Sequence, residues 1–112
     1  MADSNTPKTV IFFRDTAGSE PFADWLKRLR DPVARRRILV RLRRLEQGQF
    51  GDFKSVGAGV SELRFFFGAG YRVYFGKDGD RLVVLLCGGD KGSQRRDIQR
   101  AQVYWEEYKR HA

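Results

Sequence analysis

The stretch Glu62-Leu63-Arg64-Phe65-Phe66-Phe67-Gly68-Ala69-Gly70-Tyr71-Arg72-Val73-Tyr74-Phe75 decides the fold. Leu63, Phe65 and Phe67 alternate with Glu62, Arg64 and Phe66; Tyr71, Val73 and Phe75 alternate with Arg72 and Tyr74. A period of two sends successive side chains to opposite faces, so the pattern predicts two strands with Gly68-Ala69-Gly70 as a turn between them. Asp78-Gly79 predicts a two-residue hairpin into a third strand of the same run. That strand, Leu82 to Cys87, is apolar at every position, as expected of a strand covered on both faces. Gly88-Gly89 is expected to end it.

Upstream the period lengthens. Val10-Ile11-Phe12-Phe13 is short, apolar and β-prone, and reads as a first strand. Phe22, Trp25, Leu26 and Leu29 fall at i, i+3, i+4 and i+7 behind Pro21, which predicts a short amphipathic helix. Asp31-Pro32 restarts the count as N-cap and N1. Ala34, Ile38, Leu42 and Leu45 then mark a second helix that Gly48 would stop. Downstream, residues from about Gln94 to Arg110 predict a last helix carrying Ile98, Ala101, Val103 and Trp105. The predicted order is β-α-α-β-β-β-α. This is a single α+β domain over residues 1–112, a helical hairpin packed on one face of a mainly antiparallel twisted sheet, with Met1 to Lys8 as a loose leader.

At 112 residues the chain has room for one core. No run is long and apolar enough to span a bilayer, and Met1 to Val10 has no apolar export region, so a cytoplasmic, non-membrane protein is expected. One cysteine, Cys87, rules out an internal disulfide, and one histidine, His111, leaves too few ligands for a structural zinc site. Nucleophilic catalysis through a Ser-His or Cys-His pair would need that terminal histidine and is not expected. Neither a cofactor nor a metal is anticipated.

Charge points the other way. Lys plus Arg number 22 against 14 Asp plus Glu, a formal +8, and sixteen of the 22 are arginine. Between Lys27 and Glu46 stand nine basic and two acidic residues, so the excess sits on the helical hairpin. Such a balance favours polyanions such as nucleic acid, or an acidic protein partner. On the strands, Glu62, Arg64, Arg72 and Tyr74 should share the face turned away from the core, with Asp90 and Lys91 at one rim and Lys54 at another. Arginines converging there would suit a phosphodiester backbone. The same pattern would equally describe a solvated sheet face with cross-strand ion pairs. Arg41 and Arg44, with the Arg35-Arg36-Arg37 run, are further candidates for RNA phosphates, or simply a solvated helix face. Cys87 reads as an inert buried thiol.

Val60-Ser61-Glu62-Leu63-Arg64, Gly68-Ala69-Gly70-Tyr71-Arg72-Val73-Tyr74-Phe75 and Cys87-Gly88-Gly89-Asp90-Lys91 with Gln94 and Asp97-Ile98 carry a resemblance. In order and spacing they are similar to the RelE/ParE toxin superfamily, in its HigB-like addiction module killer branch. The likeness runs from about Val10 to Glu107. It implies the toxin of a bacterial type II toxin–antitoxin system, a ribosome-dependent, metal-independent mRNA endonuclease. Its partners would be the ribosome, mRNA and an adjacently encoded antitoxin of helix-turn-helix type. It implies that Arg72 contacts the scissile phosphate, that Arg64 and Lys91 are further basic site residues, and, more loosely, that Lys54 joins them. Glu62 or Asp90 would then be the base and Lys91 the acid. Arg72, facing away from the core, should tolerate replacement by alanine without loss of fold. The chain lacks the tyrosine or histidines that relatives carry between positions matching Asp90 and Ile98. The alternatives are a ParE-like gyrase poison and a non-toxic basic binding module.

Overall fold

The computed structural model describes residues 6–112; of the loose leader expected over Met1 to Lys8, residues 1–5 lie outside them. The chain runs through β1 (Thr9–Phe12), α1 (Pro21–Arg28), α2 (Pro32–Glu46), β2 (Phe53–Gly57), β3 (Val60–Arg64), β4 (Arg72–Asp78), β5 (Leu82–Gly89), a 3-10 turn (Lys91–Ser93) and α3 (Gln94–Arg110). The α+β architecture is the one expected, with one strand more. The strands form a single mixed sheet in the order β1-β5-β4-β3-β2, with β1 parallel to β5 and the remaining pairs antiparallel. The additional strand, β2, has the sequence Phe-Lys-Ser-Val-Gly and is exposed along most of its length. It has too little apolar alternation to stand out, and pairing with β3 makes it a strand.

The helix signals act as local chemistry requires. The Asp31 carboxylate accepts from the amides of Val33 at 2.9 Å and Ala34 at 3.3 Å, capping α2. Gly48, at φ 84°, lies just beyond α2 in the left-handed conformation that ends helices. Leu29 falls past the end of α1, yet still packs with Trp25 and Leu26 against the core. Lys8 is anchored: its amide donates to the Glu46 carbonyl at 2.7 Å and its Nζ to that of Asp80 at 2.6 Å.

Helices cover both faces of the sheet, as the all-apolar β5 strand required, so packing on one face holds for α1 and α2 but not for α3. On one side Phe22, Ile38, Leu42 and Leu45 of the first two helices pack on Leu63, Val73, Phe75, Val83 and Leu85. On the other, Ala101 and Trp105 of α3 pack on Val60, Tyr74, Val84, Leu86 and Cys87. The apolar run of β5 thus serves two cores. A register shift between Tyr74 and Phe75 lets Leu86 and Cys87 both join the second. Val103 is 63% exposed and off the packed stripe, because it sits about 200° around the helix from Ala101. Gly88 and Gly89 continue β5 instead of ending it, paired with Val73 and Arg72. A Cβ at Gly88 would overlap the Trp25 indole, and one at Gly89 the Asp97 carboxylate, so their bare backbones let α1 and α3 close on the strand. The β4–β5 connection uses three residues, 79–81, rather than two.

Cys87 is 3% exposed, and burial first, then the Asp97 carboxylate, pushes its thiol up to about 12. At pH 8 the thiolate is therefore scarce in the folded protein. Labelling by a thiol reagent is expected to run about a thousandfold slower in buffer than in denaturant. Comparable rates in the two conditions would contradict the burial described.

Candidate nucleic-acid interface

Strand register builds the site. In the β3–β4 pair Glu62 lies opposite Tyr74 and Arg64 opposite Arg72, so all four share one face, as the period-two pattern required. That face is not open. The first turn of α3 covers its inner half, leaving Glu62 and Tyr74 fully buried. Tyr74 donates its hydroxyl to Glu62 Oε2 at 3.0 Å, and Gln94 of α3 donates its side-chain amide to the same oxygen at 2.8 Å. Burial, then the charge and hydrogen bond of Glu62, hold the Tyr74 phenol far above its ordinary value, so it remains a donor.

Two directly opposed arginines would repel one another. Glu62 offsets this: Arg64 Nε lies 3.8 Å from Oε1 and Arg72 Nε 3.8 Å from Oε2. These are ion-pair distances, too long for hydrogen bonds. Glu62 Oε1 and both Nε atoms have no hydrogen-bond partner among the described residues. Arg72 is 5% exposed, and its Nη1 donates to the carbonyls of Gly70 at 3.0 Å and Tyr71 at 3.3 Å. Arg72 is thus tied into the structure, against the expectation that it could be replaced without consequence for the fold. Arg64 retains 31% side-chain exposure.

The hairpin loop between β3 and β4 completes the site. Phe65 through Gly70, with Arg64, Arg72 and Lys91, line an open groove of about 500 Å³. Both Phe65 and Phe67 turn toward α2, and the strand itself stops at Arg64, earlier than the alternation suggested. Lys91 is exposed and reaches the groove because its amide donates to the Ala69 carbonyl at 3.3 Å. Asp90 does not line the groove; its carboxylate accepts from the amides of Gly92 at 2.9 Å and Ser93 at 3.1 Å, fixing the 3-10 turn. Lys54 pairs in register with Glu62 but is exposed on β2 and stands outside the groove.

The α2 arginines divide in two. Arg41 is a strut: its Nη1 donates to the Arg64 carbonyl at 3.0 Å and Nη2 to those of Phe50 and Asp52, while burial lowers its pKa. Likewise Arg35 donates to the carbonyls of Leu26 and Leu29 at the end of α1. Arg44 remains exposed, and with Arg36 and Arg37 it lines a second groove of about 500 Å³ that shares Phe65 to Phe67 with the first. The sequence reading overlooked Phe66, the ridge between the two grooves, and Gln94 as a site-supporting residue. An aromatic at an outward position of an alternating strand was the available signal for Phe66. Gln94 stands among the residues that carry the family resemblance, but with no role attached. Among the described residues no cluster of His, Cys, Asp or Glu is arranged to hold a metal, and no helix is long and apolar enough to cross a membrane.

Fold and site define a basic α+β protein whose cations gather around one β-hairpin. The chain belongs to the family described as "Phage derived protein Gp49-like (DUF891)", a toxin-like family of addiction modules, matched over residues 24–106. It is 46% identical over 86 residues to an "Uncharacterized protein" of Haemophilus influenzae, covering 77% of this chain and 87% of the relative.

Proposed function

We propose that the protein is the toxin of a type II toxin–antitoxin pair, of the RelE/HigB kind, and that it cuts mRNA on the ribosome. The observation that carries the reading is the groove itself. Two opposed arginines and a lysine line it, and among the described residues no carboxylate does. Membership of a toxin-like addiction-module family supports it and suggests an antitoxin as partner.

In this mechanism a ribose 2′-oxygen attacks the adjacent phosphorus, and the bond to the 5′-oxygen breaks, leaving a 2′,3′-cyclic phosphate and a 5′-hydroxyl. Arg64 and Arg72 stabilise the added negative charge on the phosphate oxygens. Lys91 donates the proton that the leaving 5′-oxygen takes up. The 2′ proton passes to water, because Glu62 is buried beneath the arginines and Asp90 is engaged in its turn. Both carboxylates therefore act as positioning residues in this reading.

Primer extension on programmed ribosomes tests it, with the exposed-site variant Lys91→Ala as control. Wild-type protein is expected to give a cut in the A-site codon, and Lys91→Ala to weaken it by about 10²-fold with the fold retained. Growth arrest with intact message and broken DNA would replace this reading with a gyrase poison.

A further inference from the structure

Phe66 is the most exposed large apolar side chain described, at 74%, while its neighbours Phe65 and Phe67 are turned inward. A single exposed ring is ordinary on a protein surface; what sets this one apart is its surroundings. The Arg37 and Arg41 guanidiniums lie over the rings of Phe67 and Phe65, at 4.9 and 4.6 Å from their centroids. Phe66 has Arg64 at 5.5 Å and stands as a ridge with a groove on either side. Arg64, Arg72 and Lys91 lie to one side, Arg36, Arg37 and Arg44 to the other, and no carboxylate among the described residues lines either groove.

We propose that Phe66 is a stacking platform for one unpaired base of the RNA strand, adjacent to the phosphate held by Arg64 and Arg72. This rests on the reading above that the groove binds RNA. Single strands are held by this combination: cations that follow the backbone and an exposed ring that takes a base face, with no demand on base identity. Cationic rims around the ring favour a polyanion over an apolar protein anchor, whose surroundings would be apolar. Val33 and Val40 floor the α2 groove and are about half exposed, so a protein side chain is the competing occupant. Its signature differs: an apolar pocket tolerates any large aliphatic residue, whereas stacking requires a ring.

The test uses the full chain and a short unstructured RNA with 2′-O-methyl riboses, which lack the attacking hydroxyl, carrying one 2-aminopurine. Stacking quenches that base. Wild type and Phe66→Tyr are expected to bind with quenching. Phe66→Ala and Phe66→Leu are expected to lose the quench and about 5- to 100-fold in affinity. At this exposure the variants should melt like wild type. Full binding and quenching by Phe66→Leu would overturn the platform and assign the ring to an apolar contact. Unchanged binding by every Phe66 variant, alongside weakened binding by Arg64→Gln, would overturn the platform and leave the RNA groove standing. No binding of this free RNA by wild type would overturn the platform, and only the additional absence of a cut on programmed ribosomes would overturn the RNA groove with it.

Discussion

Glu62→Ala is expected to destabilise the protein by about 3–5 kcal/mol, the largest loss of any single change at the site. The carboxylate has no exposed surface and faces Arg64 and Arg72 from 3.8 Å each. Removing it leaves two directly opposed guanidiniums, one of them 5% exposed, without the charge that offsets their repulsion. Tyr74 and Gln94 lose their acceptor in the same step, and α3 loses one of its polar attachments to the sheet. The melting temperature should fall by roughly 10 °C or more. Glu62→Gln keeps an acceptor for Tyr74 but no charge for the arginines, and should fall between the two. Urea denaturation measures all three proteins. An alanine variant within about 1 kcal/mol of wild type would mean that the arginines do not depend on the carboxylate.

In the cleavage proposed above, Arg72→Ala is expected to reduce single-turnover mRNA cutting by about 10²–10³-fold, the effect of removing one preorganised donor from a developing charge. Arg72→Lys should recover only part of it, since an ammonium cannot bind two phosphate oxygens in parallel. Because Arg72 is buried against Glu62 and donates to Gly70 and Tyr71, the alanine variant also loses stability. The comparison therefore belongs at a temperature where circular dichroism shows every variant folded. A folded Arg72→Ala protein that cuts within about threefold of wild type would remove Arg72 from the chemistry.

The stability and cleavage arguments meet in one arrangement that alternation revealed only in part. Period two placed Glu62, Arg64, Arg72 and Tyr74 on one face, and register then brought them opposite one another. Alternation says which residues share a face, but not what lies over it. The tilt of α3 across β3 to β5 decided that Glu62 and Tyr74 are buried while Arg64 and Lys91 stay within reach of a ligand. The α2 arginines show the same limit. Arg41 and Arg44 are three residues apart on one helix, yet one supports the Arg64 backbone and the other faces solvent, depending on what packs nearby.

Local chemistry alone determined the helix starts and stops, the β3–β4–β5 run and the inward faces of both early helices. These follow from Asp31, Pro32, Gly48 and the apolar spacing, whose effects reach no further than one turn or one strand pair. Only tertiary structure decided that β2 is a strand, that β5 feeds two cores, and that Gly88 and Gly89 belong inside it. Each depends on what packs against the segment rather than on the segment itself: β3 beside β2, Trp25 of α1 on Gly88, Asp97 of α3 on Gly89. Such contacts depend on close fit between surfaces, which no short window of residues encodes.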